Sequence, residues 1–159
     1  MLCSALTALS IFAGACSHAT PQTLSDTPPS FDVELAQQMI NEHRTAHGLA
    51  PVAIDDKLMA AAKAHSNDMS RRSRVFHKGT DGSLPKDRAR TYGYNPRLAS
   101  ENVAAGYNNT SDVIRDWQRS RGHNANLLRR GAKHMGMALT YDASSGKQTY
   151  WTLLMGVPR

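Results

Sequence analysis

The body of this chain contains no cysteine. Of its 159 residues only Cys3 and Cys16 carry a thiol, and both lie in the first 16 positions. Disulfide scaffolds, zinc fingers, iron–sulfur clusters and cysteine nucleophiles all need thiols or thiolates, so the sequence excludes them from the body of the protein. Aromatic residues are also scarce, at 6%. No stretch approaches the roughly 20 consecutive apolar residues of a membrane-spanning helix.

What is present is the composition of one globular domain. Hydrophobic residues make up 40% of the chain and charged residues 20%, which excludes the disordered and collagen-like classes. A chain of this length has room for one domain with a sizeable core and is too short for two ordinary domains.

The amino-terminal segment has no basic residue before Arg44 and so lacks the positive start of a typical signal peptide. It is mainly apolar up to Phe12 and then turns to small residues before Cys16. This pattern predicts an export signal over residues 1–16 and resembles the bacterial lipobox, whose cysteine is acylated, although Ala13 stands where lipoboxes usually have Leu. A plain secretory signal or an uncleaved apolar arm is the alternative. Either signal places the body outside the cytoplasm, secreted, periplasmic or anchored to the membrane through lipid.

Residues 17–30, SHATPQTLSDTPPS, have the composition of a flexible tether, so we predict a folded domain over residues 31–159. Within the domain, hydrophobic periodicity and turn residues indicate both helices and strands. The predicted elements are a helix at 31–47, a helix at 56–72, a largely irregular stretch at 78–98, a short strand at 101–106, a helix at 112–119, and a hairpin of 134–142 with 147–156. This order predicts a mixed α+β fold or an α/β/α sandwich.

Basic residues concentrate in one stretch of the chain. Residues 71–97 carry eight basic and two acidic side chains. Such a stretch indicates either attraction to anionic surfaces or, more commonly, a solvated loop face. Nucleic acid is disfavoured as a partner, because the few aromatic residues of the stretch are not regularly interleaved with its basic residues for base stacking and because an export signal is predicted.

Seven histidines raise the question of a metal site. His43 and His47 have the i, i+4 spacing of H-E-x-x-H metalloproteases, but Arg44 replaces the catalytic Glu. His65 lies on the apolar stripe of the second helix, which predicts a hydrogen-bonded core histidine. With His18 in the tether and His134 at the start of a strand also set aside, the candidates that remain are His77 and His123.

His77, His123 and Glu101 make up a set of two histidines and one carboxylate, which is typical of catalytic zinc sites. Periodicity does not bring the three together, so structural histidines are the alternative. In a functional site Glu101 would either orient one imidazole through its ring N–H or accept a proton from a metal-bound water. Ser120 is expected to hydrogen-bond the His123 imidazole, and it is disfavoured as a nucleophile because no G-x-S-x-G elbow surrounds it.

Five further side chains are expected to be structural. We predict that Arg88 pins its loop to an acidic or carbonyl partner and that Asn126 satisfies backbone groups at a turn. Trp117, Tyr150 and Trp151 are predicted to pack in the core and sheet with their polar atoms hydrogen-bonded.

A series of short motifs runs in order along the body. The motifs are N-x-x-R at Asn41–Arg44, HGLAPVAIDDKL, AAKAHSNDM, FHKGTDG, Arg88 before Gly93-Tyr94, SENVAAG, VIRDWQRSRGHNANLL, HMGMAL and YWTLLMG. Together they resemble the bacterial branch of the CAP superfamily, which includes cysteine-rich secretory proteins, venom antigen five and plant pathogenesis-related proteins. The likeness covers about residues 33–157. Each motif is weak alone, but their order and spacing are specific.

The resemblance implies a three-layer α-β-α sandwich with a central antiparallel sheet and a large open cleft. It implies that two histidines and two glutamates face the cleft, and that the histidines bind zinc or another divalent cation in several members. By motif, His77 and His123 match the two histidines and Glu101 matches one glutamate. Ser120 stands three residues after Trp117, where the family has its second glutamate, so this chain is expected to bind metal more weakly.

Two functions from different classes follow. The first is an exported, lipid-anchored binding module, a monomer whose cleft holds a lipid, glycan or peptide of the cell envelope, with or without a divalent metal. The second is a metal-assisted hydrolase of peptide or cell-envelope substrate, with Glu101 as general base. The first is favoured because only one carboxylate matches the site and no activated nucleophile is visible, and because sites rather than folds carry function.

Overall fold

The computed structural model describes residues 29–159. The predicted signal at 1–16, with Cys16, and almost all of the predicted tether lie outside the described residues. The elements in chain order are α1 (Val33–Ala46), β1 (Ala53–Ile54), α2 (Asp56–Arg71), α3 (Pro85–Thr91), β2 (Pro96–Ala105), α4 (Thr110–Arg119), α5 (Arg121–Leu127), β3 (His134–Tyr141) and β4 (Thr149–Pro158). Within residues 29–159 no helix combines the length and apolarity needed to cross a membrane.

The four strands form one sheet in the order β1-β3-β4-β2. β4 pairs antiparallel with both β3 and β2, which confirms the central antiparallel sheet. The two-residue strand β1 adds a short parallel pairing to β3 at one edge, which was not predicted. The opposite edge of the sheet is β2.

The side chains of β4 alternate between two apolar clusters, each formed with a different set of helices. Trp151, Leu153 and Met155 belong to the apolar cluster that includes side chains of α1, α4 and α5. Leu154 belongs instead to the cluster formed with α2 and α3. Because successive side chains of a strand point to opposite faces, the sheet lies between the two sets of helices. The α+β fold and its three-layer α-β-α arrangement are therefore confirmed.

A glycine on β3 lets α2 lie directly on the sheet. A Cβ atom added at Gly136 would overlap the main chain of Leu58 and Met59 in α2. On the same face of β3, Ala138 packs in one buried cluster with Leu58. The glycine of the HMGMAL motif is thus required by close packing between helix and sheet.

The N-x-x-R motif ties α1 to two connecting segments. Asn41 accepts a hydrogen bond from the Val52 N–H at 2.7 Å and donates one to the Val52 carbonyl at 3.0 Å. Arg44 is 1% exposed and has no carboxylate partner in residues 29–159. Its guanidinium donates to main-chain carbonyls of Ala50, Leu127, Arg129 and Ala132 at 2.8–3.3 Å. Both residues of the motif are structural.

Short elements account for the main differences from the sequence prediction. β1, α3 and α5 were not predicted, and β2 begins at Pro96 rather than at 101. Stretches of two and seven residues are too short for periodicity to identify. α3 did carry a local signal, since Pro85 occupies its first position and the Asp87 carboxylate accepts from the Leu84 N–H at 3.2 Å.

The large aromatic side chains are buried as predicted, but one of them lacks its expected hydrogen bond. Trp151 donates to the Tyr107 carbonyl at 2.9 Å, and the Tyr150 hydroxyl bonds Ser145 Oγ at 2.6 Å. Trp117 is 0% exposed, and its indole Nε1 has no partner within residues 29–159. Its ring lies in the large apolar cluster, so the expectation that its polar atom is bonded was wrong.

Candidate functional site

The edge strand β2 presents two adjacent polar residues to opposite layers. Glu101 points to the side of α2 and α3, where its carboxylate meets Arg88 of α3. Asn102 points to the other side, where its amide donates to the His123 carbonyl of α5 at 3.1 Å. Both residues are buried. The site is therefore assembled at the sheet edge, where side chains from both layers converge.

The Glu101 carboxylate is buried and uses both of its oxygens. It is 4% exposed. Arg88 Nη2 donates to Oε2 in a close ion pair, and His77 Nδ1 donates to Oε1 at 2.8 Å. His65 Nε2 lies 3.6 Å from Oε1. Since both oxygens already accept hydrogen bonds, one from buried Arg88 and one from His77, this geometry favours the orienting role of Glu101 over the role of general base.

Arg88 fixes the loop that carries His77. Besides Glu101, its guanidinium donates to the carbonyls of His77 and Ser83, each at 2.9 Å. Arg88 is itself only 5% exposed. The prediction that Arg88 pins its loop to an acidic or carbonyl partner is confirmed, and it does both at once.

His77 is the exposed member of the site. Its side chain is 58% exposed, and Nε2 makes no hydrogen bond within residues 29–159. The hydrogen bond from Nδ1 to Glu101 raises the pKa of His77, partly offset by burial of the ring and by the positive charge of Arg88. With its proton on Nδ1, the neutral ring keeps a lone pair on Nε2, which can accept a proton or bind a cation.

His65 lies beneath this pair and is confirmed as a buried core histidine. Its Nε2 donates to the Phe76 carbonyl at 2.8 Å, and its ring meets the Phe76 ring edge to face at 5.5 Å. Burial lowers the pKa of His65, so the neutral form is favoured. The approach of His65 to Glu101 was not predicted, because the apolar stripe of α2 gives no information about a strand far along the chain.

Side-chain amides fix α5, which carries His123, against β2. Asn126 donates to the Glu101 carbonyl at 2.8 Å and to Asn102 Oδ1 at 2.9 Å. We expected Asn126 to satisfy backbone at a turn; it does bond backbone, but that of β2. His123 is half-buried, and its Nδ1 is a buried atom without a partner in residues 29–159.

The electrostatic surroundings of His123 include an acid that sequence reasoning missed. Burial lowers the pKa of His123, the Asp116 carboxylate raises it, and the positive charge of His77 lowers it further. The two imidazoles are thus close enough to influence each other. Asp116 stands one residue before Trp117 and one helical turn before Ser120, so helical spacing could have indicated a carboxylate near this end of α4.

The structure does not show the predicted hydrogen bond from Ser120 to the His123 imidazole. Ser120 joins the two helices, ending α4 and preceding α5 with extended backbone angles (φ −84°, ψ 121°). Its carbonyl accepts from the Asn124 N–H at 2.8 Å, whereas His123 Nδ1 has no partner among the described residues. The reason is the unpredicted helix α5, which places His123 on a helix rather than in a loop.

The donor set for a metal ion is limited to the two imidazoles. Within residues 29–159 no group of three or more His, Cys, Asp or Glu side chains is arranged to hold a metal. Glu101 is occupied by Arg88 and His77, which leaves His77 Nε2 and the His123 imidazole as candidate ligands. Two imidazoles fit a weakly held, water-completed cation and do not fit a closed structural zinc site.

A cavity of about 210 Å³ lies on the other side of Arg88. Its lining includes His65, Asp68 and Arg88, and it does not include His77, Glu101 or His123. This cavity is therefore distinct from the exposed His77 face of the site. Arg88 takes part in both, because it binds Glu101 in the site and also lines the cavity.

Comparison with known proteins places this chain in a family. The model of the cysteine-rich secretory protein family, CAP, matches residues 37–155. The chain therefore belongs to the CAP family, which confirms the resemblance seen in its motifs. The protein YkwD of Bacillus subtilis (strain 168) is 29% identical over 113 residues, covering 71% of this chain and 44% of YkwD.

Solved structures share the fold. An outer surface protein from Borrelia burgdorferi superposes with a TM-score of 0.72 at 21% identity, covering 80% of this chain and 92% of that one. An extracellular SCP-domain protein from Bacillus anthracis str. Ames gives a TM-score of 0.70 at 25% identity, covering 79% and 40%. This chain spans less than half the length of YkwD and of the Bacillus anthracis protein.

Proposed function

We propose that this protein is an exported CAP domain that binds a ligand of the cell envelope and does not turn it over. The ligand, a lipid, glycan or peptide, contacts the exposed His77 face of the site, and the protein acts as a monomer. One observation carries the proposal: Glu101, the only carboxylate that matches the family site, is 4% exposed and paired with Arg88 and His77. A carboxylate so engaged stabilises the site and is poorly placed to take a proton from substrate.

A divalent cation, zinc or a similar ion, is part of the proposal as a ligand of His77 and His123. The support is the chemistry of the donors, because Glu101 fixes the His77 tautomer with Nε2 outward and the His123 ring is only half-buried. The metal would add a positive charge that attracts anionic groups of a ligand.

Hydrolysis is the second candidate, and one observation favours it in a revised form. The bond from His77 Nδ1 to buried Glu101 is the arrangement in which a carboxylate orients a histidine that acts as base. In this candidate His77 accepts the proton from water through Nε2, and Glu101 stabilises the charged ring.

Export and lipid anchoring are proposed from the amino-terminal sequence. The relatives described as an outer surface protein and an extracellular protein support a position outside the cytoplasm. Metabolic labelling with a fatty-acid analogue should mark the protein, and Cys16→Ser should release it from the membrane fraction. Unlabelled wild-type protein in the medium would reduce this proposal to simple secretion.

Calorimetric zinc titration tests the site. Full-length protein carrying Cys16→Ser should bind zinc, and His77→Ala/His123→Ala should abolish the binding. The matched control His47→Ala/His134→Ala removes the same number of imidazoles from positions that do not contact α5 or Glu101, and it should leave the affinity unchanged. Equal affinity in the first double variant, or loss in the control, would remove the metal from this site.

Ligand binding and turnover are separated in a second experiment. Envelope lipid, glycan and peptide fractions are incubated with the protein, and bound and released molecules are analysed by mass spectrometry. Binding that His77→Ala/His123→Ala weakens, with no product formed, supports the binding module. Product that wild type forms and His77→Ala does not would support the hydrolase.

A further inference from the structure

The turn that follows α2 forms a concave, positively charged groove. Arg72, Arg74, Phe76, Lys78 and Thr80 line it, and its volume is about 440 Å³. We call these five residues the basic groove. The proposed function assigns no role to the groove, although its residues flank His77 in the chain.

The backbone of the turn fixes where the two arginines leave the main chain. The Arg74 N–H donates to the Met69 carbonyl at 3.1 Å and the Ser73 N–H donates to the Ser70 carbonyl at 2.9 Å. Ser73 has φ +47°, so it takes the left-handed conformation that reverses the chain at a helix end. The groove is therefore built on a defined turn rather than on an irregular loop.

An aromatic ring supports the groove from below. Phe76 is half-buried and packs against the cluster of Met69, Val103 and Tyr150, while its neighbour Lys78 is exposed. A half-buried ring loses little entropy on binding and offers an apolar surface beside the cations.

The three cations of the groove are uncompensated. Within residues 29–159 Arg72, Arg74 and Lys78 form no ion pair. The neighbouring Arg71 pairs with Asp68 at 3.3 Å. The groove thus keeps three positive charges in a small concave surface, a distribution that attracts an anion.

A carboxylate bound to the groove residue Thr80 is already engaged. The N–H and the hydroxyl of Thr80 donate to Asp68 at 2.9 and 2.8 Å, in addition to the bond from Arg71. Asp68 is buried. Because its charge is paired with Arg71, it offsets the groove cations less than a free carboxylate would.

We propose that the basic groove binds the phosphate group of a soluble phosphate ester. Two guanidinium groups and one ammonium group match the geometry and charge of phosphate oxygens, and Phe76 is placed to contact the organic part of the ester. The concave shape favours a discrete group over a flat lipid surface. A single aromatic side chain does not provide the successive stacking platforms of single-stranded nucleic acid.

The test titrates full-length protein carrying Cys16→Ser with glycerol 3-phosphate and inorganic phosphate, followed by NMR chemical shifts at low ionic strength. We expect saturable binding with shifts confined to residues 72–80. Arg72→Gln/Arg74→Gln/Lys78→Gln should weaken binding at least about tenfold, the equivalent of losing one charge-assisted hydrogen bond. Acetate should bind at least about tenfold more weakly than phosphate, because it carries less charge and fewer acceptor oxygens.

The matched control is Arg90→Gln/Arg130→Gln/Lys147→Gln. It removes the same three charges from exposed positions outside the groove, so binding should not change. An equal loss of affinity in both triple variants would show a general charge effect and overturn the proposal. Binding to anionic phospholipid vesicles without binding to the soluble ester would also overturn it. Equal thermal midpoints of the two variants establish that both remain folded.

Discussion

Replacing Glu101 with Gln is the most direct test of how the site is held together. The change keeps the volume of the side chain and removes its charge. Both oxygens of Glu101 accept hydrogen bonds, from Arg88 and from His77. A Gln side chain has one oxygen and one NH₂ group, so if its oxygen accepts from Arg88, its NH₂ group faces His77 Nδ1, which can then only accept.

The expected loss of stability follows from burial. Glu101 is 4% exposed and Arg88 5%, and Glu101 is the only carboxylate paired with Arg88 within residues 29–159. Removing one partner of a buried ion pair costs about 3–5 kcal/mol, because the remaining charge stays buried without compensation. An exposed pair contributes only about 0–1 kcal/mol. The matched control is therefore Arg71→Gln, since Arg71 is 68% exposed in its pair with Asp68.

Urea unfolding followed by tryptophan fluorescence measures the effect. Trp117 and Trp151 are both 0% exposed, so their emission reports loss of the core. We expect Glu101→Gln to lower the free energy of unfolding by about 3–5 kcal/mol and Arg71→Gln by less than about 1 kcal/mol. A loss below about 1 kcal/mol for Glu101→Gln would refute the buried pair.

The pKa of His77 gives an independent readout of the same substitution. The hydrogen bond to Glu101 and the charge of Glu101 raise the pKa of His77, whereas burial and the charge of Arg88 lower it. Glu101→Gln removes the raising causes and leaves the lowering ones. The pKa measured by NMR should therefore fall, and below the ordinary value rather than merely to it. An unchanged pKa would contradict the hydrogen bond.

Three further substitutions test the packing. Ser73→Gly should raise the thermal midpoint, with a gain of up to about 1 kcal/mol, because Ser73 has φ +47° and glycine adopts this conformation without a Cβ clash; a lower midpoint would contradict the turn. Gly136→Ala should lower the free energy of unfolding by about 1–3 kcal/mol or more, since the added methyl group would overlap the α2 main chain. Gly146→Ala serves as the control, because nothing lies within 4 Å of a Cβ added there. Trp117→Ala should lower the free energy of unfolding by about 3–5 kcal/mol. Trp117→Phe should lower it much less, because the indole Nε1 has no hydrogen bond to lose within residues 29–159. Similar losses for both variants would indicate that the indole N–H does form a hydrogen bond.

The sequence predicted the elements that are long enough to show a repeating apolar pattern. α1, α2 and the β3–β4 hairpin follow the predicted ranges closely. α5 has seven residues and no side-chain cap, so neither periodicity nor a cap residue identifies it. Missing α5 also led to the wrong expectation for Ser120, because a helix and a loop direct the following His123 differently.

The site was predictable in its members but not in all of its contacts. His77 and Glu101 were selected together, and the structure joins them directly by a hydrogen bond. His65 was correctly assigned to the core from its stripe on α2, yet its approach to Glu101 depends on the tertiary packing of α2 on the sheet. Such contacts between distant segments leave no periodic signal in one sequence. The family resemblance placed His77, His123 and Glu101 at one cleft, which spacing alone did not.

The adjacent residues Glu101 and Asn102 both stabilise the fold and position side chains of the site, and this affects how their variants are interpreted. Glu101 attaches Arg88 and His77 on one face of β2, and Asn102 attaches the helix that carries His123 on the other. Any substitution in this pair therefore changes stability as well as the site. His77 differs, because its side chain is 58% exposed and Arg88 holds its carbonyl rather than its ring. A loss of ligand or metal binding in His77→Ala can thus be attributed to the imidazole itself, whereas the same loss in a Glu101 variant first has to be separated from loosening of the sheet edge.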